Sequence, residues 1–371
     1  MTPLLRPAAY KDIPGWADAD PRPALAAFCL SAERFLDGAV STGTLGIDAV
    51  AFLPAAAAAL PLKHEAVSAS AARDLFEAHF HPATLAAKTE DRSVRGFLTG
   101  YYEPEVDASL VPDARYRFPL YGPPHDLVKV DDVSRPAGLD ASFRFAQRRA
   151  DGWLDEYPDR GRIEAGYLFG RGLEIAYLDN PVDAFFIHIQ GSARLKLPDG
   201  RRMRVTYAAK TGHPFTAIGR ILVDEGELTL TEADMDGIRA WLAAHPARVR
   251  PLLDRNRSFI FFKEAEVPDE RLGPIAAAKV PLTPMASIAV DRELHTFGTP
   301  FFISAPDLVL ANAPFQRLVI AQDTGSAILG PARADIFVGS GLAAGREAGR
   351  VRHSGDFYAL LPTALHDTLR P

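Results

Sequence analysis

The sequence predicts a mainly β fold of about two domains, opened by a helical N-terminal region, and three observations carry that prediction. Apolar residues recur at helical spacing up to about Phe80 and again after Thr231. From Arg95 to about Val223, and from Ser258 onward, they fall instead in short runs bounded by Gly, Pro and Asp. These strand-like runs nowhere alternate with long helical ones, as a parallel βαβ fold would require. Finally, 371 residues, 47% of them hydrophobic, with a net charge of −6, describe a soluble globular chain long enough to bury two cores.

Taken in order, the first helical stripe comprises Leu25, Phe28, Cys29 and Leu36, with Asp20 as the expected cap and Pro21 at the first helical position. The Ala-rich run from Val50 to Leu62 is far short of the roughly 20 residues of a membrane span and is expected to be a buried helix. Leu75, Phe76, His79 and Phe80 form a further stripe. His79 and His81 have no carboxylate or histidine cluster at ligand spacing, so they are expected to be packed or solvated. The single cysteine, Cys29, excludes an internal disulfide framework and has the apolar neighbours of a buried small hydrophobe.

At Arg95 the period changes. YLFGRGLEIAYLD, AFFIHIQGSARLKL and MRVTYAAK alternate as an antiparallel meander or small barrel does. Helix is predicted to return at Thr231, which stands with Asp234 at capping-box spacing before Met235, Ile238, Trp241 and Leu242, and again around Val249 to Leu253. FIFFKEAE, SIAVD, PFFISA, RLVIAQD, ADIFVGSG and DFYALLP then read as an all-β unit, for which a closed barrel is the simplest fit because closure removes exposed edges.

Three constellations carry candidate chemistry. In RLVIAQDTGSAILGPARADIFVGSG, two β-branched runs present Asp323 and Asp335 beside glycine-rich turns, either for chemistry or to cap those turns. In TGYYEPE, Tyr101 and Tyr102 point to opposite faces of a strand, so one can face a ligand while the other packs inward. In FFIHIQGSARL, His188 and Gln190 share a strand face. GSGLAAG lacks the Lys and Ser/Thr of a P-loop and no clear helix follows it, and no nucleophile-elbow motif occurs. No block of basic residues interleaved with aromatics marks a nucleic-acid partner, and no ligand cluster or fingerprint marks a metal or organic cofactor, so none is expected.

TGYYEP at 99–104, HIQGSARL at 188–195, GRILVDEGE at 219–227, NRSFIFFK at 256–263, PLTPMASIAVDRELHTFGTP at 281–300 and QDTGSAILGPARADIFVGSGLAAGREAG at 322–349 together resemble the MltA family of lytic murein transglycosylases. The matches run in order over about 90 to 355, and the last resembles the family's three-aspartate module. The resemblance implies a six-stranded double-psi β-barrel built from both ends of the chain, residues 1–104 and 259–371. A second β domain, 105–258, would be inserted as the other wall of a groove.

The resemblance also implies cleavage of the β-1,4 bond between N-acetylmuramic acid and N-acetylglucosamine with formation of a 1,6-anhydro end. Asp335 would be the catalytic aspartate, Asp323 a supporting one, and Tyr101, Tyr102, Gln190 and Asp291 would contact the glycan. A non-catalytic glycan-binding or wall-loosening barrel and an inverting β-1,4-glycan hydrolase are the alternatives. The implied partners are peptidoglycan glycan strands and, beyond them, cell-wall synthesis proteins, with a monomer expected. The implied location is the periplasm or outer membrane, although MTPLLRPAAYKDIPGW shows no export signal and Cys29 lacks the small residue of a lipobox.

Overall fold

The computed structural model describes residues 4–88, 94–267 and 269–366. The chain divides into two compact units, Met1–Tyr102 with Asp269–Pro371, and Glu103–Pro268. The N-terminal part supplies strands β1 (Leu5–Pro7), β2 (Phe80–Leu85) and β3 (Gly96–Glu103). The middle supplies β4 (Glu105–Ser109), β5 (Phe118–Tyr121), β6 (Leu127–Lys129), β7 (Phe145–Arg148), β8 (Leu154–Asp155), β9 (Glu174–Leu178), β10 (Ser192–Lys196), β11 (Arg202–Lys210) and β12 (Ile260–Ala265). The last part supplies β13 (Ser287–Ala289), β14 (Pro300–Leu310), β15 (Ala313–Asp323), β16 (Arg333–Ser340) and β17 (Arg352–Pro362).

In the first unit the order β17-β14-β15-β13-β16-β3 closes on itself, because β3 also pairs with β17, giving the six-stranded barrel that the resemblance implies. Five of its strands come from the C-terminal part and one, β3, from the N-terminal part. β2 and β1 extend the sheet beyond β17. Of the pairs β13–β15, β13–β16, β14–β15, β14–β17 and β3–β17, only β13–β15 is parallel. The N-terminal helices Arg22–Leu36, Leu53–Ala59 and Ala69–His79 gather Phe28, Phe35, Phe52, Phe76 and Phe80 into one aromatic cluster, with Phe35 stacked on Phe52 at 4.5 Å. Cys29 is buried there, its thiol on the carbonyl oxygen of Ala59. Helix Arg22–Leu36 begins one residue later than the sequence predicts: Pro21 takes the cap position and the Asp20 carboxylate binds the Arg22 amide and guanidinium instead.

The second unit corrects several expectations. It is not a sequential meander but a six-stranded sheet in the order β12-β11-β10-β4-β9-β5, with β10 and β4 parallel, beside a three-stranded sheet β6-β7-β8. Strand β12, which the boundary at 259 assigns to the barrel, pairs with β11 of this sheet. Its alternating aromatics explain the placement: Ile260 and Phe262 enter a core with Leu195 and Val205, while Phe259 and Phe261 enter another with Tyr121 and Tyr157. A run that is apolar on both faces needs both faces covered, and nothing in the run says which sheet covers them.

AFFIHIQ is a helix, Pro181–Gln190, so His188 and Gln190 do not share a strand face. Its punctuation outweighs its aromatic and β-branched content: Asn180 caps it by accepting from the Val182 amide at 2.8 Å, Pro181 opens it, and Gly191 ends it in the left-handed region at φ 81°. Helix Met235–Ala244 is capped by Asp234, not Thr231, and helix Val249–Asp254 follows. A helix, Gly341–Gly349, also follows GSG, against expectation. Its glycines are poor helix formers alone, but Gly345 lies on the Tyr102 ring, where a Cβ would approach to 2.8 Å, so close packing decides its state.

Candidate active site

Strand β3 turns Phe97, Thr99 and Tyr101 to one face and the buried Leu98 and Tyr102 to the other. Gly100 lets helix Gly341–Gly349 close on this strand, since a Cβ there would stand 2.9 Å from the Ala348 carbonyl oxygen. The two tyrosines therefore separate as the alternation predicts, and Tyr102 is the inward one. It is buried and packed on Gly345.

The barrel's central strand β13 brings the aspartates together. Ala289 is paired with Asp323 of β15 on one edge and with Asp335 of β16 on the other. A bulge between Ile288 and Ala289 shifts the register so that Asp323, not Gln322, lies opposite Ala289. Residues in register share a face, so the two carboxylates flank one methyl group, their Cα atoms about 10 Å apart across two strand spacings. The skipped Gln322 is fully buried. Its amide nitrogen donates to the Ala27 carbonyl and to Ser31 of helix Arg22–Leu36, both at 2.8 Å, and its oxygen accepts from Ser287. The N-terminal helix is thereby tied to the residue that precedes Asp323.

Both carboxylates are half-buried, but they are supported differently. Asp323 accepts from the Tyr101 hydroxyl at 2.8 Å on Oδ2 and from the Ala277 amide at 3.2 Å on Oδ1. Burial still raises its pKa, against the lowering by these donors and by the Thr324 amide. Among the described residues Asp335 accepts a single hydrogen bond, 2.6 Å from the Thr99 hydroxyl to Oδ1. Burial pushes its pKa up to about 6; the Thr99 bond and the Arg333 cation oppose the rise, and the charge of Asp323 adds to it. Tyr101, packed on Phe337 at 5.4 Å, is held well above its ordinary pKa, first by burial and then by the two carboxylates, so it donates to Asp323 as a neutral phenol.

Asp291 is engaged by backbone amides. It is buried, with Oδ2 on the Gly330 amide at 2.8 Å and Oδ1 on the Glu293 amide at 3.1 Å, and it holds the segment that joins Asp323 to β16. His295 helps: kept neutral by burial, which lowers its pKa to about 4, it donates from Nε2 to the Pro331 carbonyl at 2.8 Å. Gln190 lies in the second unit, at the end of helix Pro181–Gln190. There His188 is buried between Phe259 and Phe262, which lowers its pKa well below the ordinary value. Thr99, Arg333, Ala289 and Gln322 were not singled out by the sequence, although Thr99 and Tyr101 stand at the two-residue spacing of a single strand face.

Among the described residues, no group of three or more His, Cys, Asp or Glu side chains is arranged to hold a metal ion, and no helix is long and apolar enough to cross a membrane.

Two family models match the chain: the MltA specific insert domain over residues 97–263 and the 3D domain over residues 286–361. The crystal structure of a membrane-bound lytic murein transglycosylase from Agrobacterium tumefaciens is 45% identical, with 99% of each chain covered and a TM-score of 0.90. That of Escherichia coli MltA with bound chitohexaose is 26% identical over 92% of this chain and 90% of that one, with a TM-score of 0.67. Membrane-bound lytic murein transglycosylase A of Vibrio cholerae is 30% identical over 276 residues; the match covers 73% of this chain and 66% of that protein's length, just under two thirds.

Proposed function

The chain belongs to the MltA family, and from that membership we propose that it is a lytic transglycosylase that cleaves the β-1,4 bond between N-acetylmuramic acid and N-acetylglucosamine in peptidoglycan, leaving a 1,6-anhydro end. The observation that carries this reading is the asymmetry of the carboxylate pair. Among the described residues Asp335 has one hydrogen-bond donor, an Oδ2 that accepts none and a pKa near 6, beside an Asp323 that accepts from the Tyr101 hydroxyl and the Ala277 amide. One carboxylate titrating close to neutrality suits a group that must first give a proton and then take one.

An ordinary glycosidase uses two carboxylates that share this work across the sugar. Here the nucleophile is the substrate's own C6 hydroxyl. Asp335 protonates the leaving glycosidic oxygen, then removes the proton of the C6 hydroxyl as that oxygen closes on the anomeric carbon. The proton returns to Asp335 and no water is consumed. Tethering the nucleophile supplies an advantage that reaches about 7–11 kcal/mol in the best-oriented reactions, which makes a second catalytic carboxylate unnecessary. Asp323 acts by its charge and Tyr101 by holding it. The A. tumefaciens and V. cholerae relatives are named membrane-bound, which supports a place of action at the wall, in the periplasm or on the outer membrane.

The test is clearance of purified peptidoglycan suspensions across pH. Because Asp335 must start protonated, kcat/KM is expected to fall as pH rises through about 6. Absence of clearance by the folded protein at any pH favours a glycan-binding barrel and overturns the reading.

A further inference from the structure

We propose that Arg333 and Thr99 form a positioning relay that assigns the transferable proton of Asp335 to Oδ2. The inference rests on the reading of Asp335 as the acid and base, and deepens it. An arginine donates only, so the 2.7 Å contact between an Arg333 terminal guanidinium nitrogen and the Thr99 hydroxyl oxygen uses that oxygen as acceptor. The one hydroxyl proton of Thr99 is thereby directed to its other neighbour, Asp335 Oδ1, at 2.6 Å. Oδ1 is occupied as an acceptor in both protonation states, and the carboxylic proton resides on Oδ2, which accepts no hydrogen bond among the described residues.

The relay is itself held rigid. Arg333 donates from its other terminal nitrogen to the Ala334 carbonyl at 2.5 Å and lies over the Phe97 ring at 5.1 Å. Phe97 and Thr99 share a face of β3, so one strand fixes both the cation and the hydroxyl between cation and carboxylate. Among the described residues no ion pair joins Arg333 to Asp335 directly. A bidentate Arg–carboxylate pair would engage both oxygens and hold the acid ionised. The interposed threonine keeps the cation one hydroxyl away, which steadies the carboxylate while leaving Oδ2 for the glycosidic oxygen. In the reaction the proton on Oδ2 goes to the leaving oxygen, the proton of the C6 hydroxyl comes back to Oδ2, and the relay transfers none.

The experiment is the pH dependence of kcat and KM for release of 1,6-anhydro fragments by the wild type, Thr99→Val, Thr99→Ser and Arg333→Gln. Thr99→Val is expected to lower kcat about tenfold to a hundredfold with KM little changed, and to move the high-pH limb upward, because a hydrogen bond to the ionised form is lost. Thr99→Ser restores both the rate and the limb, and Arg333→Gln moves the limb in the same direction. If Thr99→Val does not fold, the limb of Arg333→Gln decides alone. A limb that stays at the wild-type pH in the folded variants overturns the relay, even where activity drops, because mere packing damage lowers rate without moving a titration. Reducible ends from the wild type would instead overturn the transglycosylase reading, so the two failures are distinguishable.

Discussion

The molecule contains two carboxylates withdrawn from water in opposite ways. Glu103 of the second unit is fully buried, and Arg194 grips one of its oxygens at 2.8 Å while Arg204 grips both, at 2.5 and 3.0 Å. Asp335 of the first unit is half-buried with one donor, and its cation is held off by a threonine. The first arrangement compensates every lone pair it can; the second leaves one oxygen open and tolerates the cost as a raised pKa. TGYYEP contributes to both, since Thr99 serves Asp335 and Glu103 builds the buried cluster. A compensated carboxylate fixes structure, whereas an under-compensated one is available for chemistry.

The contrast breaks most visibly at Asp335. Asp335→Asn keeps the shape and removes the proton, so turnover of peptidoglycan is expected to fall by at least about 10²–10⁴ while circular dichroism and glycan retention stay unchanged. Glu103→Ala is expected to do the reverse, because two buried guanidinium groups lose their counter-charge. Denaturant unfolding should show a loss of about 3–5 kcal/mol, and the fraction that remains folded should keep the wild-type pH limb.

A smaller effect separates the pair by sign. The folded-state pKa of Asp335 lies above its ordinary value, so its contribution to stability is complete below about pH 4 and lost as pH rises through about 6. Asp335→Asn escapes that loss. Its unfolding free energy should match the wild type near pH 4 and exceed it above pH 6, by a margin on the order of 1–2 kcal/mol after solvent screening. The smallest effect expected is that of Asp323→Asn. Its charge is the last of the causes that raise Asp335, so the high-pH limb should move slightly downward, together with a modest loss of rate. A limb that does not move would mean that Asp323 is neutral in the working enzyme.

How much of this was legible in the sequence follows from the range of the forces involved. The strands of the barrel were readable because PFFISA, RLVIAQD and DFYALLP carry their own period, and Asp335 stood out as a charge among Ala334, Ile336 and Phe337. The placement of Ile260–Ala265 was not readable, since both its faces are apolar and the choice of sheet is tertiary. Pro181–Gln190 has the aromatic and β-branched content of a strand, but Asn180 before it, Pro181 at its first position and Gly191 after it announce a helix, and that local punctuation outweighs the content. Arg333 and Thr99 meet across 234 positions of sequence, and no single-chain pattern announces a contact of that range. The same holds for Ala289, whose role is to be small between two aspartates.

This division of labour, in which Asp335 does both the acid and the base work while the substrate supplies its own nucleophile, shows in the product. It is tested most directly by mass analysis of fragments released from purified peptidoglycan, before and after borohydride treatment. The muramic acid ends are expected to be one water lighter than hydrolytic ends and unchanged by borohydride. Ends that carry the extra water and are reduced by borohydride would contradict the account, because water would then have reached the anomeric carbon ahead of the tethered hydroxyl.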